Sequence, residues 1–361
     1  MPEFGPAGQE RLKAGSVLVV GAGGLGCPAL QYLVAAGVGR IGICDFDVVE
    51  SSNLQRQVLF GYSDLGKPKA ECAARRLADL NPHIEITPFV ERFSIENAEA
   101  LLNDFDVVLD GSDNFPTRYL VNDACVMFGK PLCFGSIFKF EGQVSVFNFE
   151  GGPTYRCLFP KSPNPKDVPN CAEIGVIGVL PGIIGSLQAL EAIKILSGVG
   201  EVFSGKLLLF DALTLRVNQI GFSANPENFH VTELKEIEFA CDTDADEEEE
   251  IPQLMPGDVD ELLKGDDAPL LVDVREDWEL AVCRIDGSIS LPLSQLKQPV
   301  SIELPPELSA GVDTVVYCKA GVRSMMACEI LRESYGFEKV SNLAGGIDLW
   351  AETVDPAMPR Y

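Results

Sequence analysis

The length and composition of the chain indicate a globular protein of two or three domains. It has 361 residues, of which 46% are hydrophobic and 23% charged, so it can form sizeable cores. Its formal net charge of −26 argues against nucleic-acid binding, because no basic stripe is available to displace counterions from phosphates. An acidic protein of this kind can still bind a nucleotide through a few local arginines and lysines.

We expect a cytoplasmic protein that does not enter a membrane. The sequence shows no signal peptide, and its most apolar run, 174–187, is short, rich in glycine and interrupted by Pro181. Its 11 cysteines form no framework of close pairs, which is typical of the reduced thiols of cytoplasmic proteins. Five of them fall in predicted strands or helices and are expected to be core residues: Cys44, Cys72, Cys125, Cys133 and Cys328.

The segment 1–240 alternates β-branched runs with helical patterns, which predicts an α/β domain built on a mostly parallel sheet. The predicted strands cover residues 16–20, 40–44, 107–109, 132–134, 142–149, 206–210 and 215–220. The predicted helices cover residues 27–36, 69–80, 117–128 and 183–196.

An acidic run separates this domain from the rest of the chain. Residues 242–250 are mostly acidic and are followed by Pro252, so we predict an unpacked linker over 241–252. The segment 253–361 is predicted to form a second, smaller α/β domain, with strands at 270–274 and 314–317.

A glycine turn follows the first predicted strand. The tract 21–26, which reads GAGGLG, leads into a helix, so its backbone can approach a phosphate or a ribose at the helix N-terminus. Asp45 ends the second predicted strand, where a carboxylate can bind ribose hydroxyls. Taken alone, this pattern favours a dinucleotide-binding Rossmann domain.

Charged residues beyond Asp45 favour a different ligand. Arg56 lies in a polar loop, Lys69 begins a predicted helix, and Asp113 follows the strand 107–109. A nicotinamide cofactor does not need two cations and a further carboxylate around one pocket. A triphosphate does, because Arg56 and Lys69 can neutralise its phosphates while Asp113 holds magnesium. The combination predicts an ATP site.

A candidate reactive cysteine follows the predicted strand 314–317. Cys318 enters a loop of small residues that reaches Arg323 at the start of a helix, so backbone N–H groups point at its sulfur. The loop between Cys318 and Arg323 is short and suits a sulfur-sized group such as a persulfide, whereas related phosphatases have a longer loop for phosphate. This tract therefore predicts sulfur chemistry.

These motifs together resemble the MoeB/ThiF adenylyltransferases, relatives of ubiquitin-activating enzymes, fused to a rhodanese domain. The first resemblance covers about residues 2–235 and rests on these tracts: 21–26, Asp45, 52–56, Lys69, 113–114, 141–143, 155–158 and 185–189. The second covers about residues 253–358 and rests on these tracts: 271–276, 318–324 and 343–350. The implied fold is a Rossmann-like domain followed by a smaller α/β rhodanese domain.

The resemblance implies an enzyme that uses ATP and Mg²⁺ to adenylylate the C-terminal Gly-Gly carboxylate of a small ubiquitin-like sulfur carrier. A persulfide on Cys318, supplied by a donor such as a cysteine desulfurase, then converts the carrier to a thiocarboxylate. The resemblance also implies a homodimer. Molybdopterin and thiamine biosynthesis are the favoured pathways, and tRNA thiolation uses the same chemistry.

The resemblance further assigns roles to individual residues. The implied catalytic residues are Cys318, Cys171, Lys69, Asp113, Arg56 and Arg323. The implied nucleotide-binding residues are Gly24, Asp45, Ser52, Asn53, Leu54, Gln55, Arg56, Lys69, Asp113 and Asn114. Asp45 would bind the ribose and Asp113 magnesium, and the cations and Asn53 would bind the phosphates. Cys171 aligns with a cysteine that forms a covalent link to the carrier in some relatives and is dispensable in others.

Two departures from the family pattern are visible. The family usually holds a structural zinc with two Cys-x-x-Cys pairs, but Thr154 replaces the first thiolate and the second pair is missing near Asn225. Cys157 and the nearby His230 cannot close a tetrahedral site, so we predict no zinc. An arginine that in relatives usually precedes the stretch 1–5, and reaches ATP in the partner subunit, has no counterpart in this sequence.

Two other functions remain compatible with parts of the sequence. One is an NAD-dependent oxidoreductase fused to a rhodanese domain, against which the set Arg56, Lys69 and Asp113 argues. The other is a non-catalytic scaffold for a ubiquitin-like protein, against which the presence of both Cys318 and Arg323 argues.

Overall fold

The computed structural model describes residues 1–163, 175–235, 251–265, 268–297 and 302–360. The chain divides into two compact units, Met1–Cys241 and Asp242–Tyr361. The acidic run 242–250 lies outside the described residues, so the linker and the domain limits of the sequence analysis remain predictions.

The first unit is built around an eight-stranded sheet. Its strands are β1 Ser16–Val20, β2 Arg40–Cys44, β3 Glu85–Phe89, β4 Val107–Asp110, β5 Leu132–Phe138, β6 Glu141–Phe147, β7 Lys206–Asp211 and β8 Arg216–Gly221. Its described helices are α1 Gly5–Ala14, α2 Gly26–Ala36, α3 Lys69–Leu80, α4 Ile95–Asn103, α5 Phe115–Met127, α6 Tyr155–Leu158 and α7 Val179–Ser197.

The sheet is covered by helices on both faces. Its order is β3-β2-β1-β4-β5-β6-β7-β8, with parallel pairing from β3 to β5 and antiparallel pairing from β5 to β8. Val17 and Val19 of β1 pack in one core with α2, α3 and α7, whereas Leu18 and Val20 pack in another with α4 and α5. Both faces of β1 are buried, which explains its uninterrupted apolar sequence. The predicted α/β class is confirmed.

Some element limits differ from the sequence predictions. The helix predicted at 117–128 begins at Phe115, because the Asn114 side chain caps it and Pro116 fits its first turn. The strand predicted at 142–149 ends at Phe147, since Asn148 has a positive φ of 54°. The sequence analysis missed α1, α4 and the edge strand β3, which contains Pro88, a residue that argues against a strand.

The helix α7 is long and apolar enough to cross a membrane by length and composition alone. In this structure it packs against α1, α2 and the sheet, and a core helix of an α/β domain satisfies the same criteria. The run 174–187 that the sequence analysis singled out overlaps its first half.

The second unit is a smaller α/β structure with a parallel sheet of order β11-β10-β12-β13-β9. Its strands are β9 Gln253–Leu254, β10 Leu270–Asp273, β11 Ile289–Ser290, β12 Thr314–Tyr317 and β13 Val340–Leu343. Its described helices are α8 Pro256–Leu263, α9 Asp277–Leu280, α10 Leu293–Leu296, α11 Val322–Tyr335 and α12 Gly346–Thr353. The central, fully buried strand β12 delivers Cys318 to the carboxyl edge of this sheet.

Candidate active sites

The nucleotide-binding candidates surround the point where the strand order of the large sheet reverses. Strand β1 lies between β2 and β4, so the loops after these strands meet at one edge, the usual ligand position in open α/β sheets. Gly21 has a φ of +93°, and a Cβ there would lie 2.8 Å from the carbonyl oxygen of Gly111. Glycine is therefore required where the loops after β1 and β4 touch.

Asp45 follows β2 and faces the glycine turn. Its carboxylate accepts hydrogen bonds from the backbone N–H groups of Ala22, at 2.7 Å, and Asp47, at 2.8 Å. Burial raises the pKa of Asp45, although these N–H groups and the Lys69 ammonium act in the opposite direction. A desolvated carboxylate gains from further hydrogen-bond donors, and ribose hydroxyls are donors of this kind.

Lys69 begins α3 and is directed back toward the loop after β2. Its Nζ lies 3.1 Å from Asp47 Oδ2, and its backbone N–H donates to the Asp47 carbonyl. Lys69 is buried, whereas Asp47 is exposed. A buried ammonium with one exposed counterion can exchange that partner for a phosphate. The sequence analysis did not select Asp47, although a second carboxylate two residues after Asp45 was a visible signal.

Asn53 and Arg56 form one hydrogen-bonded group. Arg56 Nη2 donates to Asn53 Oδ1 at 2.9 Å, and Asn53 Nδ2 donates to Glu50 Oε2 at 2.9 Å. The buried Gln57 side chain donates to the same Asn53 oxygen at 3.3 Å. Ser52 contributes its carbonyl, which accepts from Arg56 Nη1. Gln57, which the sequence analysis did not select, therefore helps to fix the orientation of Asn53.

The remaining candidates of this loop border the glycine turn and α7. A Cβ on Gly24 would lie 3.1 Å from Pro181 and 3.7 Å from Arg56 Cγ. Gln55 lies against Gly178, where a Cβ would be 2.3 Å from the Gln55 carbonyl oxygen. Leu54 packs on the apolar core. The turn, the Arg56 loop and the start of α7 are therefore adjacent, and the nucleotide roles of these residues remain predictions.

Asp113 and Asn114 lie in the loop after β4. Asp113 is exposed, while Asn114 Oδ1 accepts from the Thr117 N–H and so caps α5. The preceding Ser112 is held from two sides. Its N–H and hydroxyl donate to Asp110 Oδ1, and its carbonyl accepts from the buried Arg118. These bonds fix the backbone that presents Asp113.

The residues present fit Mg²⁺ bound together with a triphosphate. Within the described ranges, no group of three or more His, Cys, Asp or Glu residues is close enough to hold a metal ion by itself. Mg²⁺ usually takes one or two carboxylates and completes its shell with phosphate oxygens and water. The exposed carboxylate of Asp113 can supply one such ligand.

Cys318 lies at the start of the loop that connects β12 to α11. It is 1% exposed, and its Sγ accepts hydrogen bonds from the Gly321 N–H at 3.2 Å and the Ser324 hydroxyl at 3.3 Å. The Asn342 side chain on β13 donates to the Gly321 carbonyl and thereby fixes the peptide group between Gly321 and Val322. The loop can hold a sulfur anion through these donors.

The loop carbonyls are held by α12. The N–H groups of Ile347 and Asp348 donate to the carbonyls of Cys318 and Lys319. Gly346 has a φ of +58°, and a Cβ there would lie 2.5 Å from both carbonyl oxygens. Gly346 therefore allows the start of α12 to hold the Cys318 loop with its carbonyls turned toward the helix.

Arg323 is paired with a carboxylate from another element. Its Nη1 and Nη2 lie 2.7 and 2.8 Å from the two carboxylate oxygens of Glu279 on α9. The sequence analysis named Arg323 among the implied catalytic residues and did not select Glu279, because pairing between distant segments leaves no local pattern.

A hydrogen-bonded cluster surrounds Cys157, the cysteine of the zinc pattern that the sequence analysis found incomplete. The Cys157 sulfur accepts from the N–H groups of Thr154 and Asn225 and from the Asn228 side chain. Thr154 Oγ1 is also 3.4 Å from this sulfur. Burial raises the pKa of Cys157, but these donors outweigh it, so the net pKa lies below its ordinary value. The prediction that no zinc is bound remains a prediction.

The five cysteines expected in the core are buried, and burial raises the pKa of each. This environment disfavours the reactive thiolate. Cys171 lies outside the described residues, so its role remains a prediction.

Comparison with known proteins identifies the family. The model of the ThiF family matches residues 1–231, and the model of the rhodanese-like domain matches residues 255–353. The chain belongs to the ThiF family. This ThiF member carries a rhodanese-like domain as its second part, as the resemblance in the sequence indicated.

Curated relatives match the chain over its whole length. The Xenopus laevis protein "Adenylyltransferase and sulfurtransferase MOCS3" is 41% identical over 100% of this chain and 86% of its own. "Probable adenylyltransferase/sulfurtransferase MoeZ" from Mycobacterium tuberculosis H37Rv is 42% identical over 100% of this chain and 93% of its own. The ThiF-family chain is thus an adenylyltransferase with sulfurtransferase activity, which argues against the scaffold and oxidoreductase alternatives. Adenylyl transfer draws on ATP, so ATP is the nucleotide expected at the carboxyl edge of β1.

Solved structures agree on the fold of the ThiF part. The crystal structure of Escherichia coli MccB with ATP has a TM-score of 0.53 and 22% identity, covering 61% of this chain and 67% of that chain. At this identity the likeness supports the fold alone.

Proposed function

We propose that the enzyme adenylylates the C-terminal Gly-Gly carboxylate of a small ubiquitin-like sulfur carrier and then replaces the adenylate with sulfur held on Cys318. The observation that carries the proposal is the combination, in one ThiF-family chain, of a charged nucleotide site and a buried thiol within a loop of donors. The roles below rest on the positions described above.

In the first step a carboxylate oxygen of the carrier attacks the α-phosphorus of ATP, and pyrophosphate leaves. Asp45 holds the ribose, while Arg56 and Lys69 bind the phosphates and neutralise the charge that develops in the transition state. Mg²⁺ held by Asp113, when bound, neutralises further phosphate charge. The step replaces a poor leaving group on the carrier with AMP.

In the second step the terminal sulfur of a Cys318 persulfide attacks the acyl carbon of the adenylate, and AMP leaves. The product is an acyl disulfide between the carrier and Cys318. A thiol of an added reductant attacks Cys318 Sγ, so that the carrier departs as a thiocarboxylate and Cys318 is left in a mixed disulfide with the reductant. A second reductant thiol then restores the Cys318 thiol. Cys171 stays the candidate for a covalent link to the carrier, as the resemblance implies.

The persulfide needs a donor, for which a cysteine desulfurase has suitable chemistry. We also propose that the enzyme is a homodimer of the cytoplasm. The free thiols of the described cysteines support a reducing compartment. Light scattering would test the dimer, and the carrier that becomes thiocarboxylated would distinguish molybdopterin synthesis from thiamine synthesis.

The test combines the full chain with ATP, Mg²⁺, thiosulfate, a thiol reductant and a purified small protein ending in Gly-Gly. Intact mass should show one carrier oxygen replaced by sulfur, and Asp113→Asn should abolish this change. A carrier extended by one residue is the matched control and should remain unmodified. Sulfur incorporation in the absence of ATP, or equal modification of the extended carrier, would contradict the proposal.

A further inference from the structure

The arginine of the Cys318 loop has its positive charge balanced by a buried carboxylate. Arg323 and Glu279 form a parallel, two-point ion pair at 2.7 and 2.8 Å, the strongest geometry for this pair of groups. The Glu279 side chain is only 3% exposed and that of Arg323 14%. Glu279 also accepts from the Glu276 N–H, which fixes its position on α9.

This pairing changes what the loop can attract. The interaction energy of two ions scales with the product of their charges, so a dianion loses twice as much as a monoanion when a nearby cation is neutralised. The Gly321 N–H and the Ser324 hydroxyl still stabilise a single charge on sulfur. Lys319 is the other cation of the loop, and its charge is the same whether or not Glu279 is present.

We infer that Glu279 is a specificity-determining residue, which neutralises Arg323 so that the loop favours a singly charged persulfide over phosphate and other doubly charged oxyanions. The loop then discriminates between a persulfide and a doubly charged oxyanion by the charge of the ligand as well as by the length of the loop. The inference rests on the proposal that Cys318 carries the sulfur.

The experiment measures sulfur transfer from thiosulfate to cyanide by the full chain, with inorganic phosphate as the competing oxyanion. Glu279→Gln should strengthen phosphate inhibition by about tenfold, the amount expected for one released charge-assisted contact. The KM for thiosulfate, itself a dianion, should fall without a rise in kcat. Asp277→Asn removes one charge from an exposed position of the same helix and should leave both constants unchanged.

Two further variants separate charge from structure. Glu279→Asp keeps the charge and should retain the phosphate inhibition of the wild type, even if its kcat falls. The double variant Arg323→Leu with Glu279→Leu removes one positive and one negative charge, so the net charge is unchanged. Its phosphate affinity should therefore stay within a few-fold of the wild type. This double variant provides the readout if the loss of the Glu279 charge beside Arg323 prevents the folding of Glu279→Gln.

The outcomes are distinguishable. Unchanged phosphate inhibition in Glu279→Gln, or equal strengthening in Glu279→Asp, overturns the inference. A large loss of phosphate affinity in the double variant does so as well, because Arg323 would then have been attracting the oxyanion despite its partner. Intact mass tests the underlying proposal separately: wild-type protein that gains no sulfur on Cys318 from thiosulfate contradicts the proposed function instead.

Discussion

Lys69 is the buried cation of the nucleotide site, so its removal should impair adenylation severely. Lys69→Met should reduce ATP–pyrophosphate exchange by about 10²–10³, since a preorganised charge at a phosphate is typically worth that much. Lys67→Met is the matched control, because Lys67 is exposed and its ammonium donates to the Ser63 carbonyl. Equal losses in the two variants would show that Lys69 has no special role.

Cys157 offers a test of stability at the position where the sequence analysis predicts that no zinc is bound. Its pKa in the folded protein lies below the ordinary value of 9.0, so its thiolate contributes stability above pH 9.0. That contribution is lost as the pH falls through the folded-state pKa. The melting temperature of Cys157→Ser should therefore fall further below that of the wild type as the pH rises toward 9.0.

Thermal melts of the wild type and Cys157→Ser across this pH range check the expectation. Serine retains a hydrogen-bonding group but does not ionise there, which makes it the appropriate control for shape. A difference in melting temperature that narrows with rising pH would contradict the assignment. Elemental analysis that finds one zinc per chain would instead restore the family's metal site.

Individual site residues were predictable to different degrees. Asp45 and Lys69 could be placed because each stands at the end or start of a predicted element, beside a recognisable turn. Gln57 and Glu279 could not, because their importance lies in contacts that only the folded chain creates. The group with which a carboxylate pairs is determined by the tertiary structure and leaves no pattern in the local sequence. Asp47 was missed although its position two residues after Asp45 was a signal.

At the scale of elements, the contact between α12 and the Cys318 loop should depend on one glycine. Gly346→Ala places a Cβ against the Cys318 and Lys319 carbonyls and strains a positive φ, so sulfur transfer from thiosulfate should be nearly lost. Gly336→Ala is the matched control, because Gly336 also has a positive φ but has open space around it. It should lower stability by about 1 kcal/mol and retain activity.

Both substitutions strain a positive φ, but only Gly346→Ala brings a Cβ against the loop carbonyls. Comparing the two variants therefore separates the effect of the steric clash from that of the backbone strain. Similar losses of activity would mean that α12 does not control the loop. Circular dichroism and thermal melts show whether either variant remains folded.

Elements were predictable where burial imposes a simple pattern. The central strands β1 and β12 are rich in valine and buried along their whole length, because both of their faces are covered. The edge strand β3 is only partly buried and contains Pro88, so its sequence lacks that pattern. Helix α4 was missed although Ser94 and Asn97 form its capping box, a local signal that was available.

At the scale of the whole molecule, single mutations should abolish adenylation or sulfur transfer while leaving the other activity intact. Cys318→Ala should retain ATP–pyrophosphate exchange, because adenylation uses the first unit and requires no thiol. The same variant should lose sulfur transfer from thiosulfate to the carrier. Lys69→Met should show the converse, with thiosulfate–cyanide transfer retained. Normal sulfur loading of the carrier by Cys318→Ala would eliminate the rhodanese loop from the mechanism.

The hydrogen bonds from α12 to the Cys318 loop also determine when, during synthesis, the chain becomes able to transfer sulfur. The ribosome adds Cys318 before Gly346, so a chain that stops between them has the thiol without the amides that fix its loop. Until the last helix is complete, the nascent chain should not retain sulfane sulfur. Premature termination before α12 should therefore yield an ordinary, easily alkylated cysteine and no sulfur transfer from an unfinished enzyme.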